Sequence, residues 1–356
     1  MSFDPSIAFV CCVEAGVLEP MTVRLIESLR RNGGRMSAAP VLVVNPRFGP
    51  AIASSTRRAF DRLGARYLPA RWREPYAWYH FMNKLRAVEV AEQEFTGAET
   101  IAFLDCDVLV LEEPSEFALD ENTDITACTP PDASLASTTG PAHEREPYWR
   151  RMCDVLGMKV DDLPWVQTAD GVTIRLYLAA GIFAFRRGCG LPRIFRETVT
   201  KMLDANLGIG ANAEHWLEQA SLGLSIVRGG LRWKRASQSH NFEIISLLRD
   251  DRRSLADAKL LHYHDSLQPQ AWNEFLQRLA AQRPEHLEWI RSAGPIANPS
   301  PLRWRALAEG LRVVRGIRRS AYRRRYRAQL AQWNSQPERH ASALQPQALI
   351  GRQVGT

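Results

Sequence analysis

The chain has 356 residues, 45% of them hydrophobic and 24% charged, and this composition predicts a globular protein of one or two domains with an ample core. Its six cysteines lack the paired spacing of a zinc site or a disulfide framework, which favours a reducing compartment. The formal net charge of +7 comes from residues 297–356, which hold twelve arginines and two glutamates. The remaining residues are net negative and have no basic excess that would indicate a nucleic-acid surface.

The sequence predicts neither a secretory signal nor a membrane span. The apolar run at residues 7–13 has no basic region ahead of it and is followed at once by Glu14. The longest uncharged apolar stretch elsewhere, residues 176–185, is far too short to cross a bilayer. These features predict a cytoplasmic protein.

Short apolar runs alternate with amphipathic segments of helical length, which is typical of β-α-β units around a mostly parallel sheet. Strands are predicted at residues 7–13, 40–45, 65–68 and 101–104, and helices at 22–31, 52–63 and 75–94. After a loop or small insertion, further strands are predicted at 176–185 and 259–264, and helices at 194–206, 213–222 and 271–281. The fold class is therefore α/β, with helices flanking a mostly parallel central sheet.

Two carboxylates, Asp105 and Asp107, follow the strand predicted at residues 101–104. Open α/β sheets bind ligands at the carboxyl ends of their strands, so Glu14 and Asn45 are expected along the same edge. A buried, unpaired carboxylate is costly, and the two acids are therefore expected to meet a cation. In isolation, however, an Asp-x-Asp more often marks two solvated acids in a turn.

His262 and His264 offer further ligands at the end of a late predicted strand, two residues apart and on one face of an extended segment. Mn²⁺ and Mg²⁺ take oxygen ligands and share their remaining positions with phosphates. Mn²⁺ accepts imidazole more readily than Mg²⁺ does. The histidine pair is equally consistent with hydrogen-bonded or surface imidazoles.

The order of these motifs resembles the GT-A glycosyltransferases, nearest to their family-8 and glycogenin-like branch. The resemblance covers roughly residues 6–275 and includes a small-small-Gly step at 179–181 and an acidic-Gln pair at 218–219. It implies a GT-A (Rossmann-like) domain over residues 1–296, followed by a basic C-terminal helical tail over 297–356. The implied activity is transfer of a sugar from a nucleotide-diphospho-sugar, expected to be UDP-linked, to an acceptor that the sequence does not identify.

The resemblance also implies roles for individual residues. Asp105 and Asp107 would contact the nucleotide ribose and chelate Mn²⁺, or alternatively Mg²⁺, together with His262. The family's lysine is missing from the histidine motif, which makes His264 an alternative ligand. The implied nucleotide- and donor-binding residues are Glu14, Lys84, Asp105, Asp107, Gly181 and Gln219.

Glu218 and Glu214 are the candidate catalytic bases, because they lie one turn apart on one face of the helix predicted at 213–222. An inverting transferase needs such a carboxylate to deprotonate the acceptor hydroxyl, whereas a retaining enzyme does not. Solvated helix acids are the alternative interpretation. The metal would act as a Lewis acid on the diphosphate leaving group.

Apolar residues recur at near-helical spacing over residues 302–327, and arginines fill most of the intervening positions. This pattern predicts a basic amphipathic helix, which can bind an anionic membrane and would place the protein on the inner face of the cell membrane. Alternatively, the apolar stripe packs on the body of the protein. Residues 334–356 are predicted to be disordered.

Two other functions compete with a sugar transferase. A non-catalytic binding protein on a degenerate transferase fold, held to a membrane or polyanion by the arginine-rich tail, is consistent with the substituted family positions. A sugar-phosphate nucleotidyltransferase is less favoured, because residues 13–17 are a poor version of a glycine-rich, lysine-containing phosphate loop.

Overall fold

The computed structural model describes residues 6–69, 75–133, 137–207, 216–244 and 254–334. The strands in these ranges are β1 (Ile7–Cys12), β2 (Val41–Val44), β3 (Ala65–Leu68), β4 (Thr100–Leu104), β5 (Val108–Val110), β6 (Ile125–Ala127), β7 (Trp165–Gln167), β8 (Thr173–Arg175), β9 (Ile182–Arg186), β10 (Trp233–Arg235), β11 (Phe242–Glu243) and β12 (Leu260–His262). The helices are α1 (Leu18–Asn32), α2 (Ser54–Arg62), α3 (Met82–Glu94), α4 (Glu146–Leu156), α5 (Leu191–Asp204), α6 (Leu217–Arg228), α7 (Trp272–Gln282), α8 (Leu287–Ala293) and α9 (Leu302–Asn334).

A seven-stranded sheet forms the centre of the described part of the chain, in the order β10-β6-β9-β4-β1-β2-β3. Neighbouring strands are parallel except at β9, which runs antiparallel to both β4 and β6. Strands β1, β2 and β4 are almost entirely apolar, as expected for strands that are covered on both faces. The predicted α/β class, with a mostly parallel central sheet, is confirmed.

Helices pack on both faces of this sheet, and successive side chains of β1 show the division. Phe9 lies in the core cluster that includes residues of α1 and α2, whereas Val10 lies in the cluster that includes residues of α3, α5 and α6. The alternation follows from the two-residue period of a strand. The two layers leave the carboxyl ends of β1 and β4 on one edge.

The strand predicted at residues 176–185 is half wrong, because β9 begins only at Ile182. The apolar residues before β9 are buried, and Leu176, Leu178 and Ala180 are each no more than 1% exposed. They do not pair as a strand. Their backbone is held instead by separate contacts, in which Leu176 N–H donates to Pro164 O and Ala179 N–H donates to Cys128 O. A buried segment that is not paired as a strand can therefore have the apolar sequence that is typical of one.

A second, three-stranded sheet has the order β11-β12-β5. Strand β5 follows β4 after only three residues, Asp105, Cys106 and Asp107, so the chain passes from one sheet to the other at this point. Strand β12 pairs antiparallel to β5 and places His262 opposite Val108. The two aspartates and the first histidine are therefore brought to the junction of the sheets.

The predicted small insertion at residues 129–172 contains α4 and β7 in its described parts, and β7 pairs with β8, which begins directly after it at Thr173. A buried ion pair ties α4 to β8, with Arg175 Nη2 at 2.7 Å from Glu146 Oε1 and side chains 2% and 1% exposed. Arg175 also donates to Val160 O at 2.8 Å. These bonds satisfy a charge that would otherwise be costly to bury.

Helix α9 confirms the predicted C-terminal helix, and its C-terminal half packs on the body. Tyr322 is fully buried, its Oη donates to Leu207 O at 2.5 Å, and its ring lies 5.0 Å from that of Trp78. Arg325 Nε donates to Asn206 Oδ1 at 2.9 Å.

Within the described ranges, no helix is long and apolar enough to cross a membrane. Residues 335–356, where disorder is predicted, lie outside the described residues.

We expect Tyr322→Phe to lower the free energy of unfolding by about 1–2 kcal/mol, because the buried carbonyl of Leu207 would lose its hydroxyl donor. Urea denaturation followed by circular dichroism would measure the change. Val313→Ala is the control, since Val313 lies on the same helix and is 61% exposed. Equal stability of the two variants would contradict the docking of α9.

Candidate functional site

The predicted residues Asp105, Asp107 and His262 meet where the two sheets join, and backbone bonds hold the segment that carries the two aspartates. Asp105 N–H donates to Gly181 O at 2.8 Å, which ties the end of β4 to the start of β9. Tyr263 N–H donates to Asp107 O at 3.0 Å, which ties the start of β5 to the end of β12. The carboxylates are thus fixed from both sheets.

Asp107 lies at the centre of a group of potential metal ligands. Its Oδ2 is 3.2 Å from His262 Nε2 and 3.7 Å from His264 Nδ1. One potential ligand atom from each of the three residues lies within 4.8 Å of the others. One carboxylate and two imidazoles form a donor set that suits Mn²⁺ better than Mg²⁺.

The backbone at His264 explains how two histidines of the same motif reach one carboxylate. Strand β12 ends at His262, and His264 has a φ of 50°, in the left-handed region that few non-glycine residues adopt. The turn brings the His264 ring onto the His262 ring, with centroids 4.3 Å apart and planes 22° apart. The pair converges through a strained turn, not through an extended strand.

Asn241 orients the first histidine. His262 Nδ1 lies 3.1 Å from Asn241 Oδ1, which can only accept, so Nδ1 carries a proton and Nε2 faces Asp107. Burial opposes the charged form of His262, but the Asp107 carboxylate raises its pKa to about 9 overall. Burial and the charge of His262 together lower the pKa of His264 to about 4. The two rings therefore differ in charge at neutral pH.

Asp105 belongs to a neighbouring cluster around Lys84. Lys84 Nζ lies 3.3 Å from Asp105 Oδ2, donates to Ala180 O at 2.7 Å, and forms a close ion pair with Glu218. Burial opposes the charge of Lys84, but the two carboxylates raise its pKa above the usual range. Burial, opposed by Lys84 and reinforced by Asp107, raises the pKa of Asp105 to about 6. A metal-ligand role for Asp105 stays a prediction.

Of the two candidate bases, Glu218 lies in the described part of the chain. Glu218 is fully buried, and its backbone N–H donates to Tyr79 Oη at 3.1 Å. Its Oε1 pairs with Lys84, while its Oε2 has no hydrogen-bond partner among the described residues. Glu214 lies outside the described residues. A catalytic role for either residue stays a prediction.

Lys84, not Arg86, points into the site, as the helical spacing requires that only one of them does. Arg86 turns instead to Glu89, with Nη1 at 2.8 Å from Oε2. The position of Lys84 agrees with the sequence expectation, although its contact with a donor is untested.

Gly181 joins the two clusters. A Cβ at this position would lie 2.8 Å from Asp105 Oδ2 and 3.0 Å from His262 Cε1, so only glycine leaves both groups in place. The site thus requires, for steric reasons, the glycine of the small-small-Gly step.

We expect Gly181→Ala to weaken Mn²⁺-dependent UDP binding roughly tenfold, because the added methyl group displaces Asp105 and the ring of His262. Isothermal titration calorimetry would measure the change, and circular dichroism would show that the fold is kept. Gly310→Ala is the matched control, since a Cβ there meets open space. Unchanged binding in Gly181→Ala would contradict this account.

A cleft of about 580 Å³ opens beside these clusters, with His264, Ala179 and Gln219 in its wall. Tyr177, also in the wall, donates its hydroxyl to Gln219 Oε1 at 2.8 Å and so fixes the amide. The volume lies in the range of small-molecule sites. The cleft connects the predicted donor-binding Gln219 with the histidine of the ligand group.

Glu14 lies at the same sheet edge, but its carboxylate is bound by other side chains of the protein. Arg47 Nη2 lies 2.8 Å from Glu14 Oε2, and Asn83 Nδ2 donates to Glu14 Oε1 at 2.6 Å. Helix α9 crosses this edge, where Arg315 donates to Phe48 O at 2.6 Å. A nucleotide-binding role for Glu14 stays a prediction.

Several residues of the site have no sequence signal that would single them out. Asn241 reaches the site through long-range packing, and no local motif surrounds it. Tyr177 and Trp216 each lie two residues before a predicted motif, the step at 179–181 and the pair at 218–219, and only that proximity could have indicated them. Arg47 follows the predicted strand-end residue Asn45 by two positions, so the strand pattern could have predicted its place at the sheet edge.

The chain belongs to the family described as the Rhodobacterales glycosyltransferase domain, whose model matches residues 9–230. This match covers more than half of the chain and includes both aspartates, Lys84, Gly181 and Glu218. It confirms the predicted glycosyltransferase class. Placement in the family-8 branch stays a prediction. No curated protein sequence matches the chain.

Three solved structures are similar to the chain at low identity. The apo form of the bifunctional glycosyltransferase WbbM is 13% identical, with a TM-score of 0.49 over 83% of this chain and 52% of its own. An active-site mutant of LgtC is 13% identical, with a TM-score of 0.49 over 84% of this chain and 99% of its own. The apo glycosyltransferase GlyE of Streptococcus pneumoniae TIGR4 is 12% identical, with a TM-score of 0.46 over 82% of this chain and 65% of its own. The chain thus spans about half the length of WbbM.

Proposed function

We propose that the protein is a metal-dependent glycosyltransferase of the GT-A type, which transfers a sugar from a nucleotide-diphospho-sugar to an acceptor. The observation that carries the proposal is the group of Asp107, His262 and His264 in a glycosyltransferase chain, with His264 in the wall of a 580 Å³ cleft. UDP is the proposed nucleotide, on the sequence resemblance alone.

The ligand group fits a divalent cation such as Mn²⁺. Asp107 would supply an oxygen and His262 would supply Nε2, because Asn241 accepts from Nδ1 and leaves Nε2 facing Asp107. His264 would supply Nδ1. A bound Mn²⁺ would neutralise charge on the diphosphate leaving group as a Lewis acid.

The remaining residues position this group. Lys84 holds Asp105 at the edge of the cluster and compensates the buried charge of Glu218. Gly181 leaves room for Asp105 and His262 to lie side by side. We propose that Asp105 then faces the donor ribose, as the resemblance implies.

Glu218 supports Lys84 and is fully buried, so its carboxylate does not line the cleft. For Glu218 to deprotonate an acceptor, the pair with Lys84 would have to separate. A retaining reaction needs no such base. The burial of Glu218 argues only against Glu218 as the base of an inverting reaction, since Glu214 lies outside the described residues.

Calorimetric titration of the full chain with UDP and GDP, each with and without Mn²⁺, tests the proposal. We expect UDP to bind at least tenfold more tightly with Mn²⁺ than without it. GDP serves as the comparison for the nucleotide base. If neither nucleotide binds better in the presence of Mn²⁺, the proposed function is wrong.

We further propose that α9 contacts an anionic membrane and keeps the cytoplasmic enzyme at its inner face. Leu302, Val313, Val314 and Ile317 on this helix are 80%, 61%, 51% and 65% exposed, and arginines surround them. Exposed apolar side chains among cations suit a surface with anionic headgroups, where each cation contributes about 1 kcal/mol.

The double variant Val313→Asp and Ile317→Asp is expected to lose most of its flotation with phosphatidylglycerol vesicles, because two anions would enter the contact surface. Flotation of the wild-type chain with phosphatidylcholine vesicles gives the charge dependence. Val172→Asp is the control, since Val172 is 36% exposed and far along the chain from α9. Absence of wild-type flotation, or equal flotation of the double variant, would refute the membrane contact.

A further inference from the structure

Glu19 is a fully buried carboxylate in the first turn of α1, next to the loop that follows β1. Its Oε1 accepts a hydrogen bond from Gly16 N–H at 2.9 Å, and its own backbone N–H donates to Gly16 O at 3.2 Å. Gly16 has a φ of 118°, which residues with a side chain rarely adopt. The carboxylate therefore holds a turn that needs glycine, two residues beyond Glu14.

The second oxygen of Glu19 holds the loop that follows β2. Its Oε2 accepts from Ala53 N–H at 2.6 Å and from Thr56 Oγ1 at 2.7 Å. Ala53 is the N-cap residue of α2 and has no side-chain group that could cap the helix. Glu19 takes over this capping from the first turn of a different helix, and the N-terminal ends of both helices stabilise its negative charge.

The partners of Glu19 in the described part of the chain are all uncharged. They are two backbone N–H groups and two hydroxyls, of which the second is Ser300 Oγ at 3.5 Å from Oε1. Burying a carboxylate without a counter-ion is costly, and an apolar side chain would fill the same space without this cost. An apolar side chain, however, cannot accept hydrogen bonds from two loops at once. The position of the two loops therefore explains the residue type better than packing does.

The two loops carry side chains that meet at the edge of the central sheet. Glu14 follows β1 and Arg47 follows β2, and Arg47 Nη2 lies 2.8 Å from Glu14 Oε2 across the gap between the loops. Open α/β sheets bind their ligands beyond the carboxyl ends of such strands. A ligand that contacts both loops binds more tightly when their spacing is already fixed, because binding then costs less conformational entropy.

We infer that Glu19 is a positioning residue of the nucleotide site, which fixes the spacing of the loops after β1 and β2 before the nucleotide binds. The inference rests on the proposed function, since it takes the ligand at this sheet edge to be the nucleotide of the sugar donor. The group of Asp107, His262 and His264 lies at the junction of the two sheets, and none of its members is a hydrogen-bond partner of Glu19. Glu19 should therefore affect nucleotide binding and leave Mn²⁺ binding unchanged.

Glu19→Gln tests the inference, because the amide keeps the size of the side chain but turns an NH₂ group towards the hydrogen-bond donors of one loop. Calorimetry on the full chain with Mn²⁺ should show UDP binding weakened roughly tenfold. Electron paramagnetic resonance of Mn²⁺ without nucleotide should show an unchanged Mn²⁺ affinity. Thr56→Val removes one hydroxyl donor and keeps both backbone bonds, so it should weaken UDP binding roughly threefold. This milder variant decides the question if Glu19→Gln does not fold.

Glu146→Gln is the matched control, since Glu146 is likewise a buried carboxylate, with a side chain 1% exposed, but belongs to α4 and pairs with Arg175 of β8. It should lower the stability of the fold and leave UDP binding unchanged. Wild-type UDP affinity in a folded Glu19→Gln variant, or in Thr56→Val where Glu19→Gln does not fold, would overturn the inference. An equal loss of UDP affinity in Glu146→Gln, or a parallel loss of Mn²⁺ affinity in Glu19→Gln, would also overturn it. In these cases the wild-type chain still binds UDP with Mn²⁺ and the proposed function stands, whereas a wild-type chain that does not bind UDP refutes both.

Discussion

Asp107→Asn is expected to weaken Mn²⁺-dependent UDP binding roughly 100-fold or more, because it removes the charged oxygen around which both histidines converge. The amide keeps the size of the side chain, so the change is mainly one of charge. Calorimetric titration of UDP at fixed Mn²⁺ would measure it. UDP binding in the absence of Mn²⁺ is expected to change little.

The control for this prediction is Asp124→Asn, which removes a carboxylate paired with Arg232 at 2.7 Å outside the ligand group. Circular dichroism would show that both variants remain folded. If Asp107→Asn binds UDP with Mn²⁺ as tightly as Asp124→Asn does, Asp107 is not a metal ligand.

Lys84→Met is expected to lower the free energy of unfolding by about 3–5 kcal/mol, because it leaves the buried carboxylate of Glu218 without a counter-charge. The side chains of Lys84 and Glu218 are 5% and 1% exposed, so water cannot replace the lost partner. Asp105 would lose the same cation. Chemical denaturation would measure the change.

Arg86→Met is the matched control, since Arg86 lies on the same helix and its pair with Glu89 is more exposed, which predicts a loss of about 0–1 kcal/mol. The double variant Lys84→Met and Glu218→Leu should be more stable than Lys84→Met alone, because it removes both buried charges. A loss below about 1 kcal/mol for Lys84→Met would show that Glu218 is not a buried anion that depends on Lys84.

The sequence predicted the elements whose patterns are local. Strand β3 matches its predicted residues, and β1, β2 and β4 match within two residues at each end, because each is a short apolar run bounded by turns. The two aspartates were correctly placed at the end of β4 for the same reason. Strands of two or three residues, such as β5, β6, β10 and β11, were not predicted, since their pairing depends on distant partners.

Within the site, residue types were predictable but partnerships were not. The pair of Lys84 and Glu218 joins positions 134 apart in the chain, and no periodicity reports such a contact. The turn at His264 was missed because a positive φ at a histidine breaks the extended geometry that the His-x-His spacing suggests. Asn241 orients His262 through a hydrogen bond that only the fold creates.

The composition of the C-terminal tail did not predict which of its residues are buried. Its arginines predicted one amphipathic surface, but the structure divides the helix between buried Tyr322 and Tyr326 and exposed Val313 and Ile317. Packing on the body applies to Tyr322 and Tyr326, whereas Val313 and Ile317 leave an exposed apolar surface, and membrane binding of that surface stays a prediction. Only the second of these surfaces is available for a membrane.

Cleavage of a nucleotide sugar is the most direct test of the central claim. The full chain would be incubated with a panel of UDP- and GDP-sugars, with and without Mn²⁺, and the released nucleoside diphosphate would be measured. We predict that at least one donor is cleaved with Mn²⁺, that removal of Mn²⁺ with a chelator stops the reaction, and that Asp107→Asn is inactive. Absence of cleavage for every donor, or cleavage that continues equally without a metal, would contradict a metal-dependent glycosyltransferase.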